Sequence, residues 1–145
     1  MKTPIESLLN LKRWKEDEAK NQFAILLREL ATEEKRLLHL EGQYKSFSKK
    51  LENTADELIN IDEIRKTNEY LEHLLIRIQR QKEAIAAKET EVEDARKVLA
   101  DASRDRKIFE RLDEKQKDAA EKEFKRREQI GTDEHAITGH QRKKA

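Results

Sequence analysis

Two stretches of the chain repeat apolar residues at alternating spacings of three and four residues, which is the pattern of a coiled coil. Each apolar stripe is too narrow to face a globular core and too long to remain in water, so each needs a partner helix. We therefore predict an all-α fold, a long antiparallel two-helix coiled-coil hairpin. The first seam contains Leu26, Leu30, Leu37, Leu40, Tyr44, Phe47 and Leu51, with Glu33 as its one charged member. The second contains Leu71, Leu75, Ile78, Ile85 and Val92, with Lys82 and Glu89.

Capping signals set the ends of the two helices. Thr3 followed by Pro4 and Glu6 is typical of a helix start. Polar residues interrupt the pattern over 53–62, so we place a bend near residue 59, and Asn60 with Glu63 forms a second capping box. Two predicted domains follow: a hairpin over 1–130, with helices about 4–57 and 62–129, and a flexible basic tail over 131–145 that begins at Gly131.

Counting outward from the bend pairs Leu30 with about Lys88 and Leu9 with about Phe109. The second helix then extends beyond the start of the first, and its last part has no partner helix. Acid-then-base pairs four residues apart, such as Asp113 with Lys117, support that part locally. Phe109 and Leu112 fit a register shifted from that of Val92, so we expect a local irregularity between them.

Composition narrows the range of functions. Charged residues make up 43 % of the 145 residues, and aromatic residues make up only 5 %. A chain of this composition has too few large apolar side chains for a thick core. The 32 basic and 31 acidic residues nearly cancel, which argues against a nucleic-acid partner. The chain has no cysteine, no signal-peptide pattern at its start and no apolar run long enough to span a membrane. We expect a cytoplasmic protein that does not insert into the membrane.

Catalysis needs polar groups that converge in a pocket shielded from water, and a two-helix hairpin encloses none. The four histidines lack the spacing of a metal site and are expected to be surface residues. We predict no enzyme activity, no cofactor and no metal site.

Apolar residues beside the seams are candidate contacts for a partner. Tyr70 and Leu74 lie one position before Leu71 and Leu75, and they form a line with Arg77 and Gln81. This line is either a docking strip or part of the packing at the bend, and the sequence favours neither. Trp14, next to Leu11 and Lys15, is a second candidate because tryptophan is enriched at binding hot spots.

In three blocks the sequence resembles the FliJ family, the small coiled-coil components of the bacterial flagellar type III export apparatus. The blocks are residues 5–18, residues 62–78 with Tyr70, Leu71 and Leu74, and residues 106–115. Asp133 and Glu134 complete the match, whereas Gly131, Thr132 and Gly139 depart from the helical carboxyl terminus that is usual in the family.

The resemblance implies a function in flagellum biogenesis, motility and protein export. It implies a non-enzymatic rod that binds and activates the export ATPase FliI, couples it to the export gate protein FlhA and escorts export chaperones, in the cytoplasm and peripherally at the membrane. The implied ATPase contacts are Leu11, Trp14, Lys15, Glu18, Lys107, Phe109, Glu110, Leu112 and Lys115. The implied gate contacts are Tyr70, Leu74, Arg77 and Gln81.

Two alternatives stay open from the sequence. A stalk protein of a virulence type III secretion system would have the same helices and a similar task. A generic coiled-coil scaffold would pair its second seam with another chain, giving a dimer in place of the hairpin.

Overall fold

The fold consists of two α-helices in a computed structural model that describes the backbone of residues 3–54 and 60–144 and the side chains of residues 3–53 and 60–140. Helix α1 runs Pro4–Thr54 and helix α2 runs Ile61–Lys144. Their contacts are antiparallel: Lys88 of α2 pairs with Glu29, and Arg106 pairs with Glu16. The predicted helical hairpin is confirmed. The bend predicted near residue 59 lies outside the described residues.

Both predicted helix starts are confirmed by their caps. The Glu6 amide donates to the Thr3 hydroxyl at 3.2 Å, and the Thr3 amide donates to the Glu6 carboxylate at 3.3 Å, a reciprocal capping box. At the start of α2, the Asp62 amide donates to the Asn60 side-chain oxygen at 3.1 Å. These bonds satisfy amides that the first turn of a helix would otherwise leave without partners.

One uninterrupted heptad seam follows each helix. On α1 every seam residue from Ile5 to Leu51 is buried or half-buried, and on α2 the same holds from Ile64 to Asp113. The first predicted seam is therefore correct and extends towards the amino terminus. It includes three charged residues, Lys12, Glu16 and Glu33.

Every second residue of the second predicted seam is wrong, because at those places the seam residue lies one position earlier in the chain. Leu74 is 0 % exposed and Leu75 is 48 % exposed, so Leu74 lies in the seam and Leu75 outside it. In the same way, Gln81 and Lys88 are half-buried, whereas the predicted seam residues Lys82 and Glu89 are exposed. Two adjacent leucines made both phases possible, and contacts across the seam decide between them. With the correct phase, Phe109 continues the same heptad, so the predicted irregularity is not needed.

Helix α2 also does not end near residue 129. It continues through Gly131 and Gly139 to Lys144. No described glycine has a positive φ, so Gly131 does not adopt the left-handed conformation that commonly caps a helix. Thr132 and Thr138 each donate a hydroxyl hydrogen bond to the carbonyl four residues earlier, as happens within helices. The flexibility of 131–145 stays a prediction.

The chain divides into two compact units. The central unit comprises Glu18–Ala100, and the terminal unit comprises Met1–Asp17 with Asp101–Ala145. The core of the central unit is a cluster of Leu40, Leu71, Leu74 and Ile78, against which Leu37, Tyr44, Phe47 and Leu51 pack. The terminal unit is built differently and contains most of the predicted site residues.

Candidate functional site

The seam of the terminal unit is held by charged side chains. The Arg106 guanidinium donates to the Glu16 carboxylate at 2.8 Å and to the Glu110 carboxylate at 2.8 Å. Glu16 is buried, and its hydrogen bond is the main cause that raises the pKa of Arg106. Arg13 extends the network with an ion pair to Glu110 at 3.6 Å. A buried carboxylate is tolerated here because a bound guanidinium neutralises it.

Two further polar contacts occupy the neighbouring seam positions of this unit. The Lys12 ammonium lies 5.4 Å from the centre of the Phe109 ring and 3.5 Å from the Asp105 carboxylate. Asp113 is buried, and its carboxylate accepts a hydrogen bond from the Lys117 ammonium at 3.1 Å. This hydrogen bond raises the pKa of Lys117. Two predicted ATPase contacts are therefore engaged within the hairpin and only half-exposed: Phe109 lies in the seam, and Glu110 lies beside it in contact with Arg106.

In the seam of the terminal unit Leu9 and Arg106 occupy a positions, and Lys12 and Phe109 occupy d positions. The remaining heptad positions divide the surface of this unit into two sides. In an antiparallel pair, e positions of one helix face e positions of the other, and g positions face g positions. Lys12 pairs with Asp105 at a g position, whereas the ion pairs Glu6–Lys117 and Arg13–Glu110 join e positions and define one side. The other side belongs to the g positions and the adjoining c positions.

Exposed apolar residues lie on the side opposite the e positions. Leu8 and Leu112 occupy g positions, Leu11 and Ile108 occupy c positions, and all four are exposed. We call these four residues the apolar face. Trp14, 58 % exposed, follows Leu11 by one helical turn on the outer surface. Four large apolar side chains on one side are more than scattered exposure requires, so the face is a candidate binding surface.

The predicted ATPase contacts are thus only partly brought together. Leu11 and Leu112 lie on the apolar face, with Lys15 at the next g position of α1 and Lys115 at the next c position of α2. Lys107 is exposed at a b position, and Glu18 belongs to the central unit. Sequence reasoning missed Leu8 and Ile108 as surface residues. The heptad phase of each helix could have identified them, because both lie one position before a seam residue.

The predicted gate contacts separate into different environments. Leu74 is fully buried, which corrects its placement beside the seam, and it presents no surface to a partner. The Gln81 amide crosses the seam and donates to the Glu33 backbone carbonyl at 2.9 Å. Tyr70 is 38 % exposed and packs edge-on against Phe47, with ring centres 4.8 Å apart. Arg77 is exposed.

The carboxyl-terminal part of α2 extends past the start of α1. Lys117 lies 3.9 Å from Glu6, near the first turn of α1, and α2 continues from there to Lys144. From residue 121 to 140 every side chain is exposed except Glu123, which pairs with Arg126 and Arg127. Ile130 and Ile137 continue the seam spacing along this extension, and both are exposed.

The described residues offer binding surfaces and no metal chemistry. Among them no group of three or more histidine or acidic side chains could hold a metal ion. Neither helix contains, over the described positions, a stretch that is apolar and long enough to cross a membrane.

Comparison with known proteins gives a family and a similar solved structure. A family model described as "Flagellar FliJ protein" matches residues 1–145. A search of the curated proteins returns no match. Among solved structures, a putative YscO homolog, CT670, from Chlamydia trachomatis is similar, with 22% sequence identity and a TM-score of 0.47 over 97% of this chain and 96% of that chain.

Proposed function

Because the chain belongs to the flagellar FliJ protein family, we propose that the apolar face of its terminal unit binds the export ATPase FliI and stimulates it. The chain is a coiled-coil protein related to type III export, and its family is a non-enzymatic part of that apparatus.

One observation carries the proposal. The terminal unit places charged side chains in its seam and leaves Leu8, Leu11, Ile108 and Leu112 exposed on one side. A hairpin that needed only to fold would gain stability from the reverse arrangement, because apolar burial is favourable and charge burial is costly. Exposed apolar side chains beside a polar seam are what a partner surface requires, with the apolar residues supplying affinity and the charged rim supplying orientation.

The extension of α2 is the second element of the proposed ATPase site. Its surface is dense in ion pairs of its own, such as Lys125 with Glu121 at 3.2 Å, so it can remain helical without α1. Phe124, Ile130 and Ile137 would be the apolar contacts on this helix.

The central unit is the proposed contact for the export gate protein FlhA, through Tyr70 and Arg77. Leu74 would support that surface from within the core and Gln81 from the seam. Tyr70→Ala is expected to weaken capture of the FlhA cytoplasmic domain in a pull-down, with helicity unchanged; undiminished capture would remove Tyr70 from the site. An escort role for export chaperones and a cytoplasmic, peripherally membrane-associated location complete the proposal.

The test is the ATP hydrolysis rate of FliI titrated with this protein, with hexamer formation followed by light scattering. Leu11→Ser with Leu112→Ser is expected to raise the half-saturating concentration roughly tenfold, because two contacts of the apolar face are lost. Leu27→Ser with Leu75→Ser is the matched control, since it removes two leucines of similar exposure from the central unit. Equal losses in both double variants, or none in the first, would contradict the proposed site.

A further inference from the structure

A basic groove crosses the two helices of the central unit. It has a volume of about 660 Å³ and an apolar base at Leu40. Its other lining residues are Thr32, Lys35, Arg36, His39, Arg77, Arg80 and Gln81. Lys35, Arg36, Arg77 and Arg80 carry full positive charges, and no carboxylate is among the lining residues.

Along the groove, acidic residues are absent from one side of this unit, although charge nearly cancels over the whole chain. The groove lies on the side of the c and g positions. From 32 to 46 on α1 and from 70 to 84 on α2, those positions contain no aspartate or glutamate. The e and b positions of the same stretches contain Glu34, Glu41 and Glu72 together with Lys45 and Lys82. The groove is therefore basic because its side of the unit contains arginine and lysine without aspartate or glutamate.

Within the described residues the fold pairs only Arg36 of these four basic side chains with a carboxylate. Arg36 reaches the Glu33 carboxylate at 3.0 Å, but that carboxylate also accepts the Gln81 amide across the seam. Within the described part of the chain, Lys35, Arg77 and Arg80 have no carboxylate within ion-pair distance. Arg36 and Arg77 both occupy g positions, which in coiled coils ordinarily face opposite charges. Repulsion between like charges on one side is a cost that an anionic ligand would remove.

We propose that the basic groove binds a compact anion with two or more phosphate groups. Guanidinium groups present paired donors that match the oxygens of phosphate, and three arginines line this one groove. A volume of about 660 Å³ accommodates a ligand of nucleotide size. Dense charge in a short groove suits a multiply charged phosphate compound better than the widely spaced carboxylates of an acidic peptide. This inference does not depend on the export role.

Calorimetric titration of the full chain with inorganic triphosphate tests it. We expect saturable binding to one site that weakens as salt is added, because the contacts are electrostatic. Arg77→Gln with Arg80→Gln is expected to raise Kd roughly tenfold. Lys45→Gln with Lys82→Gln is the matched control, because it also removes two positive charges, from exposed positions on the other side of the central unit. It should change Kd less than about twofold. Circular dichroism checks that all variants keep their helices.

Further probes identify the source of the phosphate. Binding of ATP that is weakened by the arginine substitutions would support a soluble phosphate ester. Binding of vesicles with phosphorylated inositol headgroups, but not of phosphatidylcholine vesicles, with the same sensitivity would support a lipid headgroup. No saturable binding, equal weakening in the control variant, or tighter binding of a poly-glutamate peptide than of triphosphate would each overturn the proposal.

Discussion

The seam of the central unit is mainly apolar, whereas the seam of the terminal unit combines apolar residues such as Leu9 with several charged ones. Leu74 is fully buried in the seam of the central unit. In the terminal unit the seam contains Lys12, Glu16, Arg106 and Asp113, and the large apolar residues Leu8, Leu11, Ile108 and Leu112 are exposed. The same heptad repeat therefore has two different roles in the two units. Apolar burial stabilises the central unit, whereas the polar seam of the terminal unit fixes the pairing of its helices and leaves apolar surface available.

The largest effect is expected from the core of the central unit. Leu74→Ala removes a fully buried side chain and should lower the free energy of unfolding by about 2–5 kcal/mol. Leu75→Ala, at the adjacent exposed position, is the control and should cost less than about 1 kcal/mol. Urea unfolding followed by circular dichroism measures both. Similar costs at the two positions would mean that the seam phase described for α2 is incorrect.

A smaller effect is expected from the polar seam of the terminal unit. Glu16→Ala removes the carboxylate that binds Arg106 and should destabilise this unit by about 1–3 kcal/mol. The double replacement Glu16→Leu with Arg106→Leu should recover that loss, because apolar side chains pack without a desolvation cost. Amide hydrogen exchange over residues 9–16 and 102–113 reports on this unit. If the double variant were less stable than the single variant, the Glu16–Arg106 pair would stabilise the unit by more than its desolvation costs. The polar seam would then stabilise the terminal unit as the apolar seam stabilises the central unit.

The smallest effect concerns the extension, where a substitution should stabilise. A methyl group at Gly131 would meet open space, and Gly131 lacks a positive φ. Gly131→Ala is therefore expected to favour the helix by about 0.5–1 kcal/mol, seen as higher helicity and slower exchange around residue 131. Gly42→Ala in the central unit is the control, because a methyl group there also meets open space. A loss of helicity at residue 131 would indicate that the helix ends there, as the sequence suggested.

The fold was largely predictable because spacing alone defines a coiled coil. The capping box at Thr3 and the helix start capped by Asn60 followed from the sequence, and the predicted pairing of Lys88 with Leu30 differs by one residue from its ion pair with Glu29. The phase of the α2 seam did not, because Leu74 and Leu75 are identical in type and only contacts across the seam distinguish them. The end of α2 was missed because Gly131 is a common helix stop, yet its backbone stays in the ordinary helical region.

The candidate site was harder to predict than the fold. Ile108 and Leu8 become recognisable as surface residues only when the seam phase is known, since one step along a helix changes the side of a residue by about 100°. The family resemblance implied that Phe109 and Glu110 contact the ATPase, but these two side chains are engaged by Lys12 and Arg106. The basic groove was missed for the same reason, because its residues come from both helices and align only in the paired structure.

The polar seam has a consequence for the order in which the hairpin assembles. Contacts of the central unit join residues close in sequence, 48 apart for Gln81 and Glu33, whereas Arg106 and Glu16 are 90 apart. During synthesis the apolar contacts therefore become available first, and the longer closure carries an added entropy cost of about 0.6 kcal/mol per doubling of length. We expect the helices to zip from the central unit outward, so that Leu74→Ala slows refolding and Glu16→Ala mainly speeds unfolding. In a nascent chain the start of α1 would then stay unpaired until residues 105–117 of α2 are synthesised, and in the finished protein this paired end would be the first to reopen.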